Sequence, residues 1–334
     1  MSYAVVIVNW NGADDTWACL ASFLDASPDA VAIVIDNGSR DASVEQLTAA
    51  LQGRGIEPLQ LHGNPVTMAL AADPSSRVAL VEVGENLGFA AGCNLGLRLA
   101  HAAGFGVTLF LNNDTIVEPG ALDQLVQRLA LHNDCFACLP MLTVHGTDRI
   151  WNCGGEIYAV GVRRYHLANR PRSAAQGRGE IRCSFFTGCC FAVRTGDFMA
   201  RRGFSERFFF GEEDFELALW MKDRALSAVC LTTAVVQHKV SASFNRAAAE
   251  RQSAKVFVYY LNRFIHMRLR LGLGWWCLWV AAYLPYTVAL LLRTRCVSLG
   301  QMPMFIGSLL RRARAMDRVT RSDFEAMMRG RAEP

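Results

Sequence analysis

Short runs of apolar and β-branched residues, each ending in polar turn-forming residues, are the feature that most limits how this chain can fold. The first run is Tyr3 to Trp10 and the second is Val31 to Asp36, with an amphipathic stretch near Asp15 to Leu24 between them. A short apolar run suits a buried strand, and the intervening stretch has the 3.6-residue period of a helix. The opening of the chain therefore predicts a βαβ unit.

The same alternation continues farther along the chain. A third apolar run, Ala79 to Val83, precedes the helical stretch Gly88 to His101, and Val107 to Asn112 forms a fourth run. Strands that alternate with helices predict an α/β fold, with a mostly parallel sheet covered by helices on both faces. Sheets of this kind bind ligands at the carboxyl ends of their strands. Ligand-binding residues are therefore expected where these runs end.

The pattern is less regular in the second half of the chain. Pro119 begins a predicted helix that extends to about His132. Shorter strands are expected at Phe136 to Leu142 and at Ser184 to Arg194, and a final strand is expected at Val229 to His238. A chain of 334 residues can bury at least one large core, so the sequence predicts an α/β domain with a C-terminal appendage.

An uncharged apolar segment lies between Arg270 and Arg293. Leu271 to Leu292 approaches the roughly 20 residues needed to cross a bilayer. Its tryptophans and tyrosines favour an interfacial position, and the positive-inside rule disfavours sending the arginine-rich tail outward. A single span, an interfacial or re-entrant segment and a buried core helix are all compatible with this stretch. Because 52% of the residues are hydrophobic, we expect the C-terminal region to meet a membrane surface.

Arginine supplies nearly all of the positive charge, since only three of the 34 basic residues are lysines. Guanidinium groups suit phosphates and anionic headgroups. The net charge of +4 is modest, and no nucleic-acid partner is expected. Eleven cysteines occur without the spacing of a disulfide framework, which predicts free thiols in a reducing cytosol. Cys135 and Cys138 form a CxxC pair, but their apolar neighbours favour a buried strand.

The turn after the second run is dense in hydrogen-bonding groups. Asp36, Asn37 and Ser39 follow one another closely, and Asp41 comes two residues later. Carboxylates at the end of a strand suit the recognition of a base and a ribose. The alternative is an Asx turn in which Ser39 or Asp41 caps the next helix.

Glycines recur every four residues in the following helical stretch, at Gly88, Gly92 and Gly96. This spacing places them on one face of a helix, where they allow close approach to a ligand or to the sheet. Packing alone accounts for the glycines. Asn86 and Asn94 beside them are better candidates for binding a ligand.

Asp114 follows the apolar run that ends at Asn112 and is free to hold a hard cation through oxygen. A divalent ion there would bridge diphosphate oxygens and neutralise the charge that develops as a nucleotide leaves. His238, at the end of the last predicted strand, is a second candidate for the metal or the diphosphate, with Arg246 close behind. The alternative is a structural histidine.

Four carboxylates occupy five positions from Glu212 to Glu216, beside an aromatic run. Such groups repel one another unless a cation, an arginine or a raised pKa relieves them, and one of them can serve as a general base. A solvated acidic first turn of a helix explains Glu212 well but leaves the flanking phenylalanines unexplained.

Five segments occur in a fixed order along the chain: Val5 to Gly12, Asp36 to Ser39, Asn86 to Asn94, Leu111 to Thr115, and Glu213-Asp214. Together they resemble the family 2 glycosyltransferases, notably their rhamnosyltransferase-like branch. Each segment is a weak motif alone, but five in register are specific. The resemblance covers roughly Tyr3 to Arg263.

The resemblance implies a GT-A fold, a nucleotide-sugar donor, a divalent cation (Mg²⁺ or Mn²⁺) and inversion at the anomeric carbon. Residues 1–115 would form the nucleotide-sugar-binding half, 116–250 the acceptor-side half, and 251–334 a helical, membrane-associated region. Asp214 is the implied base, with Glu213 as the alternative, and Asp114 and His238 are the implied metal residues. The implied substrate-binding residues are Asn9, Asp36, Asn37, Ser39, Asn86, Gly88, Asn94, Asn113, Thr187, Gly188 and Arg246.

The implied reaction moves a sugar, with rhamnose as the leading candidate, to a glycan or lipid-linked acceptor in cell-surface polysaccharide synthesis. The implied place is the cytoplasmic face of the plasma membrane. One alternative is an inactive nucleotide-sugar-binding scaffold of a membrane assembly, which need not keep four mutually repelling carboxylates. Another is a dinucleotide-dependent oxidoreductase, but Asn9-Trp10-Asn11-Gly12 lacks its glycine fingerprint.

Overall fold

The computed structural model describes residues 2–28, 30–62, 77–158, 160–239 and 246–329, except for the side chains of 246–252. Within these ranges the chain divides into two compact units. The first consists of Met1–Ile157, Arg163–Ser205 and Leu217–Val240, and the second of Tyr158–Val162, Glu206–Glu216 and Ser241–Pro334. Residues 206–216, part of the predicted acceptor-side half 116–250, group with the C-terminal helices in this division, and the predicted domain bounds stay a prediction.

The N-terminal part of the first unit is a parallel β/α arrangement. Strands β1, β2, β4 and β3 pair in parallel in that order, and β5 pairs in parallel on the other side of β1. The elements are β1 (Tyr3–Asn9), α1 (Ala13–Ala26), β2 (Ala30–Asp36), α2 (Ser43–Gln52), β3 (Leu59–His62), β4 (Val78–Glu82), α3 (Phe89–Ala102) and β5 (Val107–Asn112).

The rest of the first unit extends the same sheet and adds a separate two-stranded sheet, in which residues 155–157 pair with 163–165. Its elements are β6 (Thr115–Val117), α4 (Ala121–Leu131), β7 (Ala137–Val144), β8 (Ile150–Asn152), β9 (Gly155–Ile157), β10 (Arg163–Tyr165), β11 (Glu180–Cys183), β12 (Cys190–Arg194), α5 (Thr195–Ala200), α6 (Glu213–Asp223) and β13 (Ala228–His238). Strand β12 lies antiparallel between β5 and β7, while β13 is parallel to β7. The short β6 pairs with the end of β13. The predicted α/β fold with a mostly parallel sheet is confirmed.

Side-chain alternation along the strands produces a core on each face of the sheet. In β1, Val5 and Ile7 join the layer that packs against α1, α2 and α4, whereas Ala4 and Val6 join the layer that contains α3 and α5. Consecutive strand residues point to opposite faces, so a strand covered on both sides is apolar throughout. This explains why the first runs in the sequence are continuous rather than alternating.

The expected strand from Ser184 to Arg194 is wrong in part. β11 ends at Cys183 and β12 begins at Cys190, and the residues between them form a loop in which Phe185 and Phe186 are nonetheless buried. Apolar composition made this loop look like a strand. The short strands β3, β6, β8, β9 and β10 were not predicted, because three or four residues are too few to show a period.

The second unit contains four helices in its described part: α7 (Arg246–Leu271), α8 (Leu273–Arg293), α9 (Met302–Ala315) and α10 (Arg321–Met328). Gly272 separates α7 from α8 with φ +73°, a backbone conformation that favours glycine. Helix α10 begins with a capping box between Thr320 and Asp323. In the described part, α8 is the one helix whose length and composition would allow it to cross a bilayer.

All eleven cysteines are free thiols, as expected, and nine of them are buried. Cys135 and Cys138 both lie in the core next to or within β7, in agreement with a structural role.

Candidate active site

The polar residues that end β1 and β2 form one hydrogen-bonded turn. Parallel pairing places Asn9 opposite Asp36, and Asn9 Nδ2 donates to Asp36 Oδ1 at 2.8 Å and to the Ser39 hydroxyl at 3.1 Å. The Ser39 amide donates to Asp36 Oδ2 at 3.0 Å. Asn9 and Asp36 are almost fully buried, while Ser39 is half-buried. The turn is therefore preorganised, with Ser39 at its open side.

The expected Asx-type geometry is present as well. Asp36 accepts from the backbone of Ser39, and Asp41 accepts from the Ser43 amide and hydroxyl at the start of α2. These bonds give both carboxylates a structural role in their turns. The proposed contact of Asp36 with a nucleotide remains compatible with them, because an ionised carboxylate accepts about four hydrogen bonds.

A second turn, before α3, is bonded to the first. Asn37 Nδ2 donates to Asn86 Oδ1 and to the Gly88 carbonyl, both at 3.2 Å, and the Leu87 amide donates to Asn37 Oδ1 at 2.9 Å. Gly38 lies between them with φ +71°, and a Cβ atom there would be 2.4 Å from the Glu85 carbonyl carbon. Asn37, Asn86 and Gly88 are thus brought together as the sequence predicted.

The network continues to the end of β5. Asn113 Nδ2 donates to the Thr16 hydroxyl at 2.9 Å, and that hydroxyl donates to Asn9 Oδ1 at 2.7 Å. Thr16 lies on α1, is fully buried and was not among the predicted site residues. It connects the turns after β1, β2 and β5, so the polar residues at the carboxyl ends of three parallel strands form one continuous set.

Asp114 and His238 meet although 124 positions separate them in the sequence. Strand β6 pairs with β13 so that Thr115 is opposite His238, and His238 Nε2 lies 3.1 Å from Asp114 Oδ1. The amide of Lys239 donates to the Asp114 carbonyl at 2.8 Å, and the His238 ring packs against the ring of Trp151 with 4.5 Å between centroids and a tilt of 43°. The two predicted metal residues are therefore neighbours held by the sheet.

This pair fits a Mg²⁺ or Mn²⁺ ion. Two neighbouring ligands bound at about 2.1 Å in an octahedral shell lie about 3 Å apart. Nε2 is the ring nitrogen of His238 that faces Asp114, and Nδ1 is buried without a hydrogen-bond partner among the described residues. No group of three or more His, Cys, Asp or Glu side chains in the described ranges is arranged so that it could hold a metal ion by itself. Substrate and water oxygens would complete the shell, as is usual for Mg²⁺.

The remaining predicted substrate-binding residues are Asn94, Thr187, Gly188 and Arg246. Asn94 is buried and bonded to the backbone of Phe204, donating at 2.9 Å and accepting at 2.7 Å, which gives it a role in holding α3 to residues 203–204. Thr187 and Gly188 lie in the loop before β12. The Thr187 hydroxyl is buried without a partner in the described part of the chain, and Gly188 approaches the ring of Phe89 at the start of α3. The side chain of Arg246 lies outside the described residues.

The acidic segment belongs to the second unit, where Glu212 is not solvated. Glu212 is 1% exposed, has φ +77°, and accepts from Arg263 Nε at 2.6 Å. Burial opposes its ionisation, but the charges of Arg263 and His266 lower the pKa of Glu212 below its usual value. The expectation of a solvated acidic turn is wrong for this residue, because an arginine from α7 reaches it.

Arg263 organises this part of the second unit. Its guanidinium lies 3.2 Å from the centroid of the Phe215 ring and donates to the hydroxyls of Tyr259 at 2.9 Å and Tyr283 at 3.3 Å. The adjacent Asn262 donates to the Phe210 carbonyl at 2.7 Å. These contacts hold the aromatic run and the acidic segment against α7. They also explain why phenylalanines accompany the carboxylates.

Glu213 and Asp214 are the first two residues of α6, and both are half-buried. Desolvation raises the pKa of Glu213 to about 8, and the charges of Asp214 and Glu212 act in the same direction. A carboxyl group that is protonated at neutral pH cannot accept a proton. Of the two predicted bases, Asp214 is therefore the better candidate.

The comparison with known proteins decides the family. The family model described as "Glycosyl transferase family 2" matches residues 4–201 of the chain, which is more than half of its length. The chain belongs to glycosyl transferase family 2. It is therefore a glycosyltransferase, and the dinucleotide-dependent oxidoreductase considered from the sequence is excluded. Among proteins of curated function, none matches the sequence.

Solved structures share the GT-A fold of this glycosyltransferase at low identity. GalNAc-T7 with UDP, GalNAc and Mn²⁺ matches 77% of the chain with TM-score 0.54 and 15% identity, and the chain spans 47% of that protein. TarS 1–349 of S. aureus matches 99% of the chain and 88% of its own length, with TM-score 0.52 and 12% identity. A mannosyltransferase of Pyrobaculum calidifontis with GDP-Man and Mn²⁺ matches 99% and 85%, with TM-score 0.51 and 14% identity.

Sequence reasoning about this glycosyltransferase missed Thr16 and Arg263. Thr16 carried no signal, since a threonine in an amphipathic helix is ordinary. Arg263 did carry one: Asn262, Arg263 and His266 interrupt an otherwise apolar part of α7, and polar residues in such a stretch are usually paired when they are buried.

Proposed function

We propose that this glycosyltransferase moves a hexose, with rhamnose as the leading candidate, from a nucleotide-diphosphate donor to a glycan or lipid-linked acceptor. The proposed setting is cell-surface polysaccharide synthesis at the cytoplasmic face of the plasma membrane. The observation that carries the proposal is the Asp114–His238 pair, 3.1 Å apart at the carboxyl-end side of the sheet and beside the Asn113–Thr16–Asn9 network. Two fold neighbours hold a nucleotide or nucleotide sugar together with Mn²⁺, which supports a donor of this class.

The first unit supplies the donor-binding groups in this proposal. Asn9, Asp36 and Ser39 are bonded to one another before any ligand arrives, so the entropy of ordering them is not lost on binding. Asn37, Asn86 and Gly88 form the adjoining wall. The rhamnose preference rests on the resemblance of Asn112 to Thr115 to one branch of the family.

Asp114 and His238 are proposed to hold a divalent cation. Bound there, Mg²⁺ or Mn²⁺ would neutralise the charge on the departing nucleotide diphosphate. His238 Nε2 and the partly exposed carboxylate of Asp114, 3.1 Å apart, are the protein groups that suit this task. Thr187, whose hydroxyl is buried without a partner in the described chain, is proposed to contact substrate.

Asp214 is proposed as the general base. It would remove the proton of the acceptor hydroxyl as that oxygen attacks the anomeric carbon, which inverts the configuration there. Glu213, held protonated by burial and by the charge of its neighbour, would not compete for the proton near neutral pH. The backbone on which Asp214 lies is anchored through Glu212 and Arg263.

The deciding experiment measures binding and slow hydrolysis of a panel of nucleotide sugars, including dTDP-rhamnose, UDP-hexoses and GDP-mannose. Full-length protein is tested with Mn²⁺ and then with a chelator, beside the variants Asp114→Asn and Leu131→Ala, the latter an exposed leucine of α4. We expect one donor to bind and release its nucleotide diphosphate only with metal, and only when Asp114 is intact. Turnover of a donor other than dTDP-rhamnose would reject the rhamnose preference, and no donor turnover would reject the proposal.

A further inference from the structure

Helix α8 is fixed to the second unit along one face for its whole length. The buried residues recur every three or four positions and are Trp276, Trp279, Tyr283, Thr287 and Leu291. Trp276 Nε1 donates to the Phe264 carbonyl at 3.0 Å, and Trp279 Nε1 donates to the Val160 carbonyl at 2.9 Å. These hydrogen bonds satisfy the polar atoms of the inner face. The helix is therefore an integral part of the folded unit.

The outer face of α8 is apolar and uncovered. Trp275 is 71% exposed, Leu278 is 63% exposed and Tyr286 is 41% exposed. Only 28% of the most apolar 18-residue stretch of the helix is buried in the protein. No charged residue occurs between Arg270 and Arg293. An apolar face of this extent on a soluble surface indicates contact with a partner or a membrane.

The buried contacts of α8 argue against a membrane span. A 21-residue helix is about 32 Å long, enough to cross the hydrocarbon layer. However, the hydroxyl of Tyr283, near its middle, accepts from the fully buried Arg263, which is paired with Glu212. Crossing the bilayer would carry this ion pair and the rest of α7 into hydrocarbon, where charges are costly.

Charge at both ends of α8 argues for lipid rather than a second copy of the chain. Arg270 precedes the helix, Arg293 ends it and Arg295 follows, and all three are exposed. In a symmetric pair of such faces, either orientation of the helices would bring arginines together, because both ends are positive. Anionic headgroups complement both ends, and tryptophan and tyrosine favour the boundary between headgroups and acyl chains.

We propose that α8 lies in the plane of an anionic membrane surface, with Trp275, Leu278, Ala282, Tyr286 and Ala289 facing a single leaflet. At 100° per residue these five positions fall within about 80° of the helix circumference, and the centre of this sector lies about 120° from that of the buried residues. This inference specifies how the protein would contact the membrane in the proposed function. It rests on the proposed function only for the biological role of that contact. It selects the interfacial arrangement among the three that the sequence left open.

The first test is co-sedimentation of full-length protein with vesicles of phosphatidylcholine alone or with 30% phosphatidylglycerol as the anionic lipid, a fraction of about one third that gives a strongly negative surface. We expect binding to the anionic vesicles that falls at least tenfold for Trp275→Ala/Leu278→Ala and stays unchanged for the control Leu131→Ala. Truncation after Arg270 is not used, because it would remove Trp276 and Tyr283 from the core. Equal binding of the double variant and the unaltered protein would overturn the proposal.

The second test measures depth. Cysteines introduced at Leu278, Ala282 and Ala289, in a background with Cys277 and Cys296 replaced by Ser, would carry a fluorophore quenched by spin-labelled lipids. An in-plane helix places all three labels at the same shallow depth. If the label at 282 lies deepest, the helix spans the bilayer. If the labels are not quenched and the protein forms a concentration-dependent dimer, the face binds a second protein. Either result would overturn the proposal.

Donor hydrolysis without vesicles separates this inference from the proposed function. Trp275 and Leu278 are exposed on α8 and are not among the residues proposed to bind donor, so we expect the double variant to hydrolyse donor at the rate of the unaltered protein. Vesicle binding without donor hydrolysis by the unaltered protein would support the membrane contact of α8 and reject the proposed function.

Discussion

Arg263 and Glu212 form a completely enclosed ion pair, with Arg263 Nε 2.6 Å from Glu212 Oε1 and their side chains 1% and 0% exposed. Glu212 lies one residue before Glu213 and two residues before Asp214 in the chain. An arginine of a C-terminal helix thus determines the position of the segment that carries the proposed base. The C-terminal helices therefore do more than supply an apolar surface.

Arg263→Gln should lower the free energy of unfolding by about 3–5 kcal/mol, because it leaves the Glu212 carboxylate buried without its partner. Chemical denaturation measures the change. Arg321→Gln, in a partly exposed pair with Glu325, is the matched control and should cost about 0–1 kcal/mol. The double variant Glu212→Gln/Arg263→Met should recover most of the stability. If it recovers full kcat as well, the pair does not position the base.

Asp214→Asn should reduce kcat by about 10²- to 10⁴-fold, the usual contribution of a general base, while donor affinity changes little. Single-turnover transfer and donor titration measure the two quantities separately. Glu216→Gln changes a carboxylate two residues, or about half a turn, farther along the same helix and should retain transfer. Loss of donor binding in Asp214→Asn, or retained transfer, would remove Asp214 from the role of base.

Glu213 should make the protein less stable as pH rises between about 4.5 and 8, because in this window Glu213 ionises in the unfolded chain before it does so in the folded chain. Burial raises the pKa of Glu213 to about 8 in the folded chain, above its usual value of 4.5, so the folded state holds a proton that the unfolded state has released. The free energy of unfolding then decreases with pH in this window. Urea denaturation at several pH values should show that Glu213→Gln flattens the slope. If the slope is unchanged, other groups cause the pH dependence of stability.

Gly38→Ala should weaken donor binding and stability more than Gly55→Ala does. Both glycines have nearly the same positive φ, +71° and +72°, so the conformational cost of about 1 kcal/mol or more is shared. A Cβ at Gly38 would lie 2.4 Å from backbone of Glu85, whereas nothing lies within 4 Å at Gly55. The difference between the two variants isolates the close approach of the two turns. Equal effects would show that this approach is unimportant.

The sequence predicted the residues of the first unit best where parallel strands end. Asn9 and Asp36 meet because β1 and β2 are neighbours in register, and a βαβ pattern is readable from local periodicity. The contact of Asp114 with His238 depends on the three-residue β6, which has no period of its own, and on pairing between distant segments. The resemblance to a family suggested both residues, but only the sheet topology accounts for their contact.

Burial of charge was the part that local sequence could not predict. An acidic run at the start of a helix is ordinarily solvated, and Glu212 fits that pattern by composition alone. Its enclosure depends on Arg263, which lies 51 residues later and is stacked on Phe215. Asn94 is the converse case, since its position beside glycines suggested a ligand and both of its amide atoms instead bond to the backbone of Phe204.

The insertion of β12 between β5 and β7 has a consequence for the nascent chain. As the protein leaves the ribosome, β1 to β5 can assemble from residues 3–112, but the outer edge of β5 stays unpaired until residues 190–194 emerge. β7 emerges earlier than the strand that must separate it from β5, and β13, which brings His238 to Asp114, emerges later still. The contact of Asp114 with His238 can therefore form only after residue 238 has emerged, and a partly synthesised chain exposes an unpaired edge of β5, which is open to aggregation.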